Sequence, residues 1–288
     1  MIALPYPFER EYMQLALVAS VAIGLTAPLV GAFLVQRRLS LLGDGVGHLA
    51  FAGVAAGLLT GLWPTGFALA VAVIGAVAIE RLRSSGRASG DLALALFFYG
   101  GIAAGVVLLS LAGSLDASVL GYLFGQVLTV SGSEVAVIGA LAAVVAVAVA
   151  LGGPVLFAVT LDEEWAQVAG LPVGLMNSAL AALAAAMIVG AMRVVGVLLV
   201  AALMALPVAS AQLVAKSFKR TVLFSSLFGG TSAVVGLALA RFWGLAAGAT
   251  IVLVAVAIFV LTSLGSSIAR RRSGELGPAA GWAITSRR

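Results

Sequence analysis

The chain has 288 residues, 62% of them hydrophobic and 9% charged, with a mean hydropathy of +1.20. A soluble domain carries about 25% charge and must keep a polar shell, so the composition excludes one and identifies an integral membrane protein. The 35 glycines lack a collagen period, and zero cysteines exclude disulfides, thiolate metal sites, iron–sulfur clusters and cysteine nucleophiles.

Residues 1–12 carry Glu9 and Glu11 and read as an extracytoplasmic lead-in, with no cleavable signal peptide evident. Apolar stretches of membrane-spanning length follow at about 13–35, 41–62, 64–82, 91–112, 133–151, 174–192, 194–213, 222–240 and 245–264. A shorter apolar piece, Val119–Val130, reads as a re-entrant segment or half-span. Strands are excluded because runs such as Ala140–Ala150 are apolar on every face, where a barrel would alternate. The expected fold is therefore an all-α, polytopic transmembrane bundle of eight to ten spans. It divides into the lead-in, a transmembrane domain over 13–266 and a basic tail over 267–288.

Charge orients the array. Arg37–Arg38, Arg81/Arg83/Arg87, Lys216/Lys219/Arg220 and Arg270–Arg272 hold 11 of the 16 basic residues, while Arg10, Arg193 and Arg241 stand singly in the alternate connections. Clusters on one side place that side in the cytoplasm, with the N-terminus outside and the C-terminus inside. The high pI is thus a topology signal and no sign of nucleic-acid binding. The tail beyond Arg270 suits an anionic inner leaflet.

The second span opens on Arg37-Arg38-Leu39-Ser40-Leu41-Leu42-Gly43-Asp44-Gly45-Val46-Gly47-His48. His48 is the only histidine in the chain, and Asp44 precedes it by four residues, so both side chains share one helical face. Ionisable groups at membrane depth are costly and face a cavity or a partner. One nitrogen and one or two oxygens suit Zn²⁺, Mn²⁺ or Fe²⁺ and disfavour Cu⁺. Two residues cannot complete a coordination shell, so other ligands must come from another helix, water or a second copy. The alternatives are a satisfied Asp–His hydrogen bond, with Asp44 orienting His48, or a proton relay.

Other polar residues carry less. Asp91 reads as a charge at a helix N-terminus, Tyr99 as a mid-span packing residue, and Asp116, Gln126 and Glu134 as hydrated positions near the outer loops. Gly101/Gly105 is a small-residue pair that lets helices approach closely, and Gly43, Gly45 and Gly47 alternate ahead of His48.

One connection breaks the charge rule. Asp162-Glu163-Glu164-Trp165-Ala166-Gln167-Val168-Ala169 lies between Gly152-Gly153-Pro154 and Gly170-Leu171-Pro172, on the cytoplasmic side by parity, yet it is acidic. It reads as a short helix capped by Asp162, with acids in its first turn and Gly170 then Pro172 at its end. Trp165, Val168 and Ala169 give it one apolar face, which fits either a loop helix lying on headgroups or a docking helix for a cytoplasmic partner.

No His-Glu-x-x-His, nucleophile elbow or Walker A loop occurs, so the expectation is a chain that is not an enzyme and does not itself hydrolyse ATP.

Together these segments resemble the zinc/manganese/iron permeases of ABC transporters. The Arg-Arg, Gly-Asp and His of 37–48, the acidic segment ending Gly170-Leu171-Pro172-Val173, Tyr122-Leu123-Phe124-Gly125, Val195-Gly196-Val197-Leu198-Leu199 through Leu206-Pro207-Val208-Ala209, and Gly248-Ala249-Thr250-Ile251-Val252 occur in the family's order, from about Pro7 to Leu264. The resemblance implies a prokaryotic plasma-membrane permease that dimerises, binds a cytoplasmic ABC ATPase and receives a divalent metal from an extracytoplasmic binding protein. Zn²⁺, Mn²⁺ or Fe²⁺ would be its substrate, with no cofactor bound permanently. It associates Asp44 and His48 with the metal path, and Asp162, Glu163, Glu164, Trp165, Ala169 and Gly170 with ATPase coupling. Some zinc-type members carry a second His where this chain has Tyr99, a phenolic oxygen that would make the path more oxygen-rich. Alternatives are a permease for a cobalamin- or siderophore-type chelate and a non-ABC metal or proton-coupled carrier.

Overall fold

A computed structural model describes residues 7–87, 89–113, 117–126 and 130–272. The described residues form helices and connections, with no strand among them. In chain order the helices are α1 (Glu11–Gln36), α2 (Leu42–Thr60), α3 (Pro64–Ser84), α4 (Gly90–Ala112), α5 (Ala117–Phe124), α6 (Gly132–Leu161), α7 (Glu163–Val168), α8 (Val173–Met192), α9 (Val197–Val214), α10 (Phe218–Trp243) and α11 (Ala247–Arg272). Eight of them are long and apolar enough to cross a membrane, and α9 contributes a shorter apolar helix.

α1 and α2 form the centre of the bundle. α1 packs on α10, α6 and α9, and α2 lies between α3 and α4. Small residues set these contacts. Gly24 of α1 and Gly229 of α10 meet backbone to backbone: a Cβ on Gly24 would come within 2.6 Å of the Gly229 carbonyl oxygen. Lipid gives no hydrophobic drive between helices, so such close approach supplies the van der Waals contact that holds them together.

The structure departs from the sequence reading in three places. Gly152-Gly153-Pro154 does not end a helix; α6 runs through it for 30 residues. At 1.5 Å per residue that is about 45 Å, against about 30 Å of hydrocarbon. α9 begins at Val197 and not at 194, because Gly196 takes φ +92° and interrupts the helix. α11 continues past 264 to Arg272; residues 273–288, most of the basic tail, and Asp116 lie outside the described residues.

The turn between α1 and α2 is tight. Arg38 takes the left-handed conformation, φ 59°, and Leu39 N–H closes back on Leu34 O at 2.8 Å. A non-glycine residue there costs about 1 kcal/mol, and the burial of Leu39 and Leu42 anchors the turn.

Candidate metal pair and docking helix

Asp44 stands in the first turn of α2 and His48 one turn further on. Both are half-buried and turn toward α4, where the His48 ring lies edge-on to Phe98 with centroids 4.5 Å apart. Phe98 in turn meets Tyr99, centroid to centroid at 5.2 Å. Glycine makes this approach feasible: a Cβ on Gly101 would fall 2.9 Å from the His48 carbonyl carbon and Leu49 nitrogen, and one on Gly105 would meet the Phe51 ring at 2.6 Å. The expected small-residue pair is thus the α2–α4 contact. The alternating glycines divide their roles, Gly43 and Gly47 lying against α9 and Gly45 against Leu94 of α4.

Among the described residues, neither the Asp44 carboxylate nor the His48 imidazole has a hydrogen-bond or ion-pair partner, and the two are not bonded to each other. A cavity of about 360 Å³ opens beside them, lined by Leu41, Asp44, Asp91, Leu94, Phe98 and Tyr99. Tyr99 is 68% exposed, at odds with a packing role in this chain alone. Asp91 occupies the first turn of α4 behind the Ser89 cap, as expected, but it shares the Asp44 cavity, which the sequence did not reveal. His48 is not among the cavity-lining residues; its ring lies against Phe98, which is.

A second polar centre lies seven residues back along the chain. Arg37, at the end of α1, donates to Asn177 Oδ1 of α8 at 2.8 Å and also contacts the carboxylate of Glu163, the first residue of α7. Asn177 Nδ2 donates to Glu163 Oε1 at 3.2 Å. Arg83 grips Glu80 with two bonds, Nε–Oε2 at 3.0 Å and Nη2–Oε1 at 2.8 Å, and reaches Glu163 at 3.2 Å. Burial pushes the Arg37 pKa down, while the Glu80 carboxylate opposes that shift. Glu80 and Asn177 escaped the sequence reading. A carboxylate inside an apolar run, three residues before an arginine, was the signal available for Glu80.

α7 is the short acidic helix expected at 162–170. Asp162 Oδ1 accepts from Trp165 N–H at 2.9 Å, and Gly170, at φ 78°, ends the turn. Glu164, Trp165, Val168 and Ala169 face outward, Trp165 at 61% and Val168 at 89% exposure, whereas Glu163 turns inward and Ala166 is buried. The six residues grouped at sequence level therefore split, with Glu163 belonging to the inner cluster.

At the opposite end of α8, Tyr122-Leu123-Phe124-Gly125 and Val195-Gly196 meet each other. Gly125 (φ 81°) and Gly196 (φ 92°) each abut the other's backbone, and Gly248 packs on the Val195 carbonyl. Arg193 lies over the Tyr122 ring at 4.9 Å and pairs with Glu134 at 2.6 Å, while Gln126 N–H donates to Arg193 O at 2.9 Å. Three motifs separated in sequence form one backbone junction.

Comparison with known proteins matches residues 9–266 to the family described as the ABC 3 transport family. The chain is 31% identical over 259 residues to the manganese transport system membrane protein MntC of Listeria monocytogenes, covering 89% of this chain and 91% of that one. It is 30% identical to the manganese import system permease protein ScaB of Streptococcus gordonii, covering 88% and 91%. Among solved structures it is similar to PsaBC from Streptococcus pneumoniae, in complex with Fab, with a TM-score of 0.80, 29% identity and coverage of 88% and 91%.

Proposed function

The chain belongs to the ABC 3 transport family, and from that premise we propose that it is the membrane-spanning permease subunit of an ATP-driven importer of a divalent transition-metal ion, with Mn²⁺ as substrate ahead of Zn²⁺ or Fe²⁺. It is a multi-pass plasma-membrane protein. The observation that carries the reading is the pair Asp44 and His48, one turn apart inside an apolar helix, facing α4 without a partner among the described residues. Polar groups at membrane depth that no protein group satisfies are suited to an ion in transit.

The donor set favours manganese. A single imidazole with carboxylate and phenol oxygens nearby is harder and richer in oxygen than a zinc site with several histidines. Tyr99 lines the cavity beside Asp44, where an additional imidazole would have suited zinc. The relatives named for manganese transport support the same choice.

Two side chains do not fill a coordination shell, and α4, which packs Phe98 against His48, presents Leu92, Leu96 and Tyr99 to the outside, each more than 60% exposed. A second copy of the chain facing this surface would enclose the path and supply the missing ligands. On the cytoplasmic side, Trp165 and Val168 with the acids Asp162 and Glu164 offer an apolar patch with an anionic rim to an ATPase subunit. Ala169 and Gly170 close the helix behind them. An extracytoplasmic binding protein delivers the ion to the end bearing Arg193.

The deciding experiment is uptake of radiolabelled Mn²⁺, with Zn²⁺ and Fe²⁺ as competitors, in cells lacking the chain and in cells restored with it or with His48→Ala. Restoration by the wild type, and a fall of about 100-fold for His48→Ala at equal membrane abundance, is the expected result, at the upper end of what altering a metal site's surroundings costs. Undiminished uptake by His48→Ala overturns the ligand role. Complete indifference of Mn²⁺ uptake to the chain overturns the substrate.

A further inference from the structure

We propose that the buried cluster of Arg37, Glu80, Arg83, Glu163 and Asn177 is the element that transmits displacement of α7 to the start of α2, and so to Asp44. The inference rests on the reading of α7 as the docking helix and identifies the parts through which that helix acts.

The cluster joins four separate pieces of chain: the α1–α2 connection, α3, α7 and α8. Its charges balance, two guanidinium groups against two carboxylates, with the Asn177 amide bridging Arg37 and Glu163. Exposure is uneven. The Arg37 and Glu80 side chains are 6% and 4% exposed and Arg83 is 23% exposed, whereas Glu163 is 40% exposed. The member open to water is thus the one carried by α7, and it is the connection through which an external push can enter.

α7 is otherwise lightly held. Ala166 is its only buried residue, Glu163 is half-buried and turned inward, and its remaining side chains are exposed. Inward contact of α7 therefore comes down to one methyl group and the Glu163 carboxylate. If α7 moves outward, the carboxylate leaves, and two guanidinium groups remain opposite Glu80 alone. An excess positive charge in a site nearly closed to water is strongly disfavoured. The cluster accordingly has two states, Glu163 seated and Glu163 withdrawn, and the second must relax by moving Arg37.

Arg37 is tightly tied to α2. The left-handed Arg38 and the Leu39–Leu34 bond fix the turn, Leu39 and Leu42 are buried, and Asp44 follows within the first turn of α2. A shift of Arg37 is passed on to Asp44 because the intervening backbone has no slack. A two-state element biased from both ends is what coupling between distant sites requires.

The test uses the complete transporter, permease with its ATPase and binding protein, in proteoliposomes, and reads Mn²⁺ imported per ATP hydrolysed. Arg83→Gln removes one cation from the cluster without touching Asp44, His48 or the outer face of α7. The expected result is a ratio about 10-fold lower, within the usual span of allosteric coupling. Arg83→Lys, which keeps the charge, recovers most of it. Adding Glu163→Gln to Arg83→Gln should lower the ratio little further, since both act in one element; independent destabilisation would instead make the losses add.

An unchanged ratio in Arg83→Gln, or fully additive losses in the double variant, overturns the transmission role. A wild-type complex that imports no Mn²⁺ on addition of ATP sinks the transporter reading, and the cluster's role with it. Coupled wild-type transport with an unmoved variant sinks the cluster's role alone.

Discussion

Two polar regions lie within seven residues of each other and solve opposite problems. Around Arg37 every charge has a counter-charge or an amide, and the groups are mostly sealed from water. Around Asp44 and His48 no such satisfaction occurs among the described residues, and the nearest neighbours are the aromatic rings of Phe98 and Tyr99 beside an open cavity. Burying a polar group without a partner is costly, so the contrast between a charge-paired cluster and a half-buried, unpaired Asp44 and His48 is what the proposed transit site rests on.

The contrast can be broken from the α4 side. No charged or amide group of the Arg37 cluster comes from α4, whereas the Asp44–His48 face depends on the close approach of Gly101. A Cβ there already meets main-chain atoms at 2.9 Å, which no side-chain rotamer relieves. Gly101→Leu should therefore cost about 3 kcal/mol, the upper end of overpacking penalties, and abolish metal uptake. Thermal unfolding of the purified chain in detergent, alongside Mn²⁺ uptake, gives both readouts. Retained uptake would mean that α4 does not set the geometry of the pair.

Glu80 sharpens the contrast from the other side. Glu80→Gln leaves Arg37 and Arg83 with Glu163 and Asn177 as their remaining partners. Because a counter-charge persists, the loss should be about 2 kcal/mol, inside the range for a buried group deprived of its charged partner. Thermal unfolding again measures it. Unlike Gly101→Leu, this change leaves the α2–α4 contact intact, so His48 should stay against Phe98, while the excess positive charge shifts Arg37 and, through the tight α1–α2 turn, weakens fluorescence-detected Mn²⁺ binding at Asp44. Undiminished Mn²⁺ binding at lowered stability would mean that the two regions are independent.

How much of this could be read from the sequence follows the same division. The four-residue spacing of Asp44 and His48 encodes their shared face, because a helix fixes that relation locally. The Gly101/Gly105 spacing likewise announces a close helix contact, though not its partner. α7 is legible from its cap, acids and terminating glycine, all signals confined to a few residues. What escaped was contact between distant segments. Arg37 and Arg83 count as topology charges in a one-dimensional reading, yet both turn into the protein, toward a glutamate in α3 and an asparagine in α8. Gly152-Gly153-Pro154 looked like a break, but the backbone groups freed by proline in a membrane helix find local substitutes, so α6 continues. Gly125 and Gly196 seem unrelated until the fold brings their backbones together.

The end of the bundle bearing Arg193 supplies the mildest test. Its ion pair with Glu134 is partly exposed, 25% and 29% for the two side chains, and Glu134 already caps α6 through Ser131. The junction beneath is held by glycine backbones, with the Arg193 carbonyl, not its side chain, receiving the Gln126 N–H. Removing the guanidinium therefore takes away one screened ion pair and one cation–π contact, each worth about 0.5 kcal/mol at such exposure. Arg193→Gln should lower stability by no more than about 1 kcal/mol and leave the Mn²⁺:ATP ratio unchanged. The stability loss should shrink further in high salt, because exposed pairs are screened. A loss as large as that of Glu80→Gln would mean that partly exposed pairs at this end hold the helices as firmly as the sealed cluster does at the other. Burial would then not be what separates framework charge from the rest.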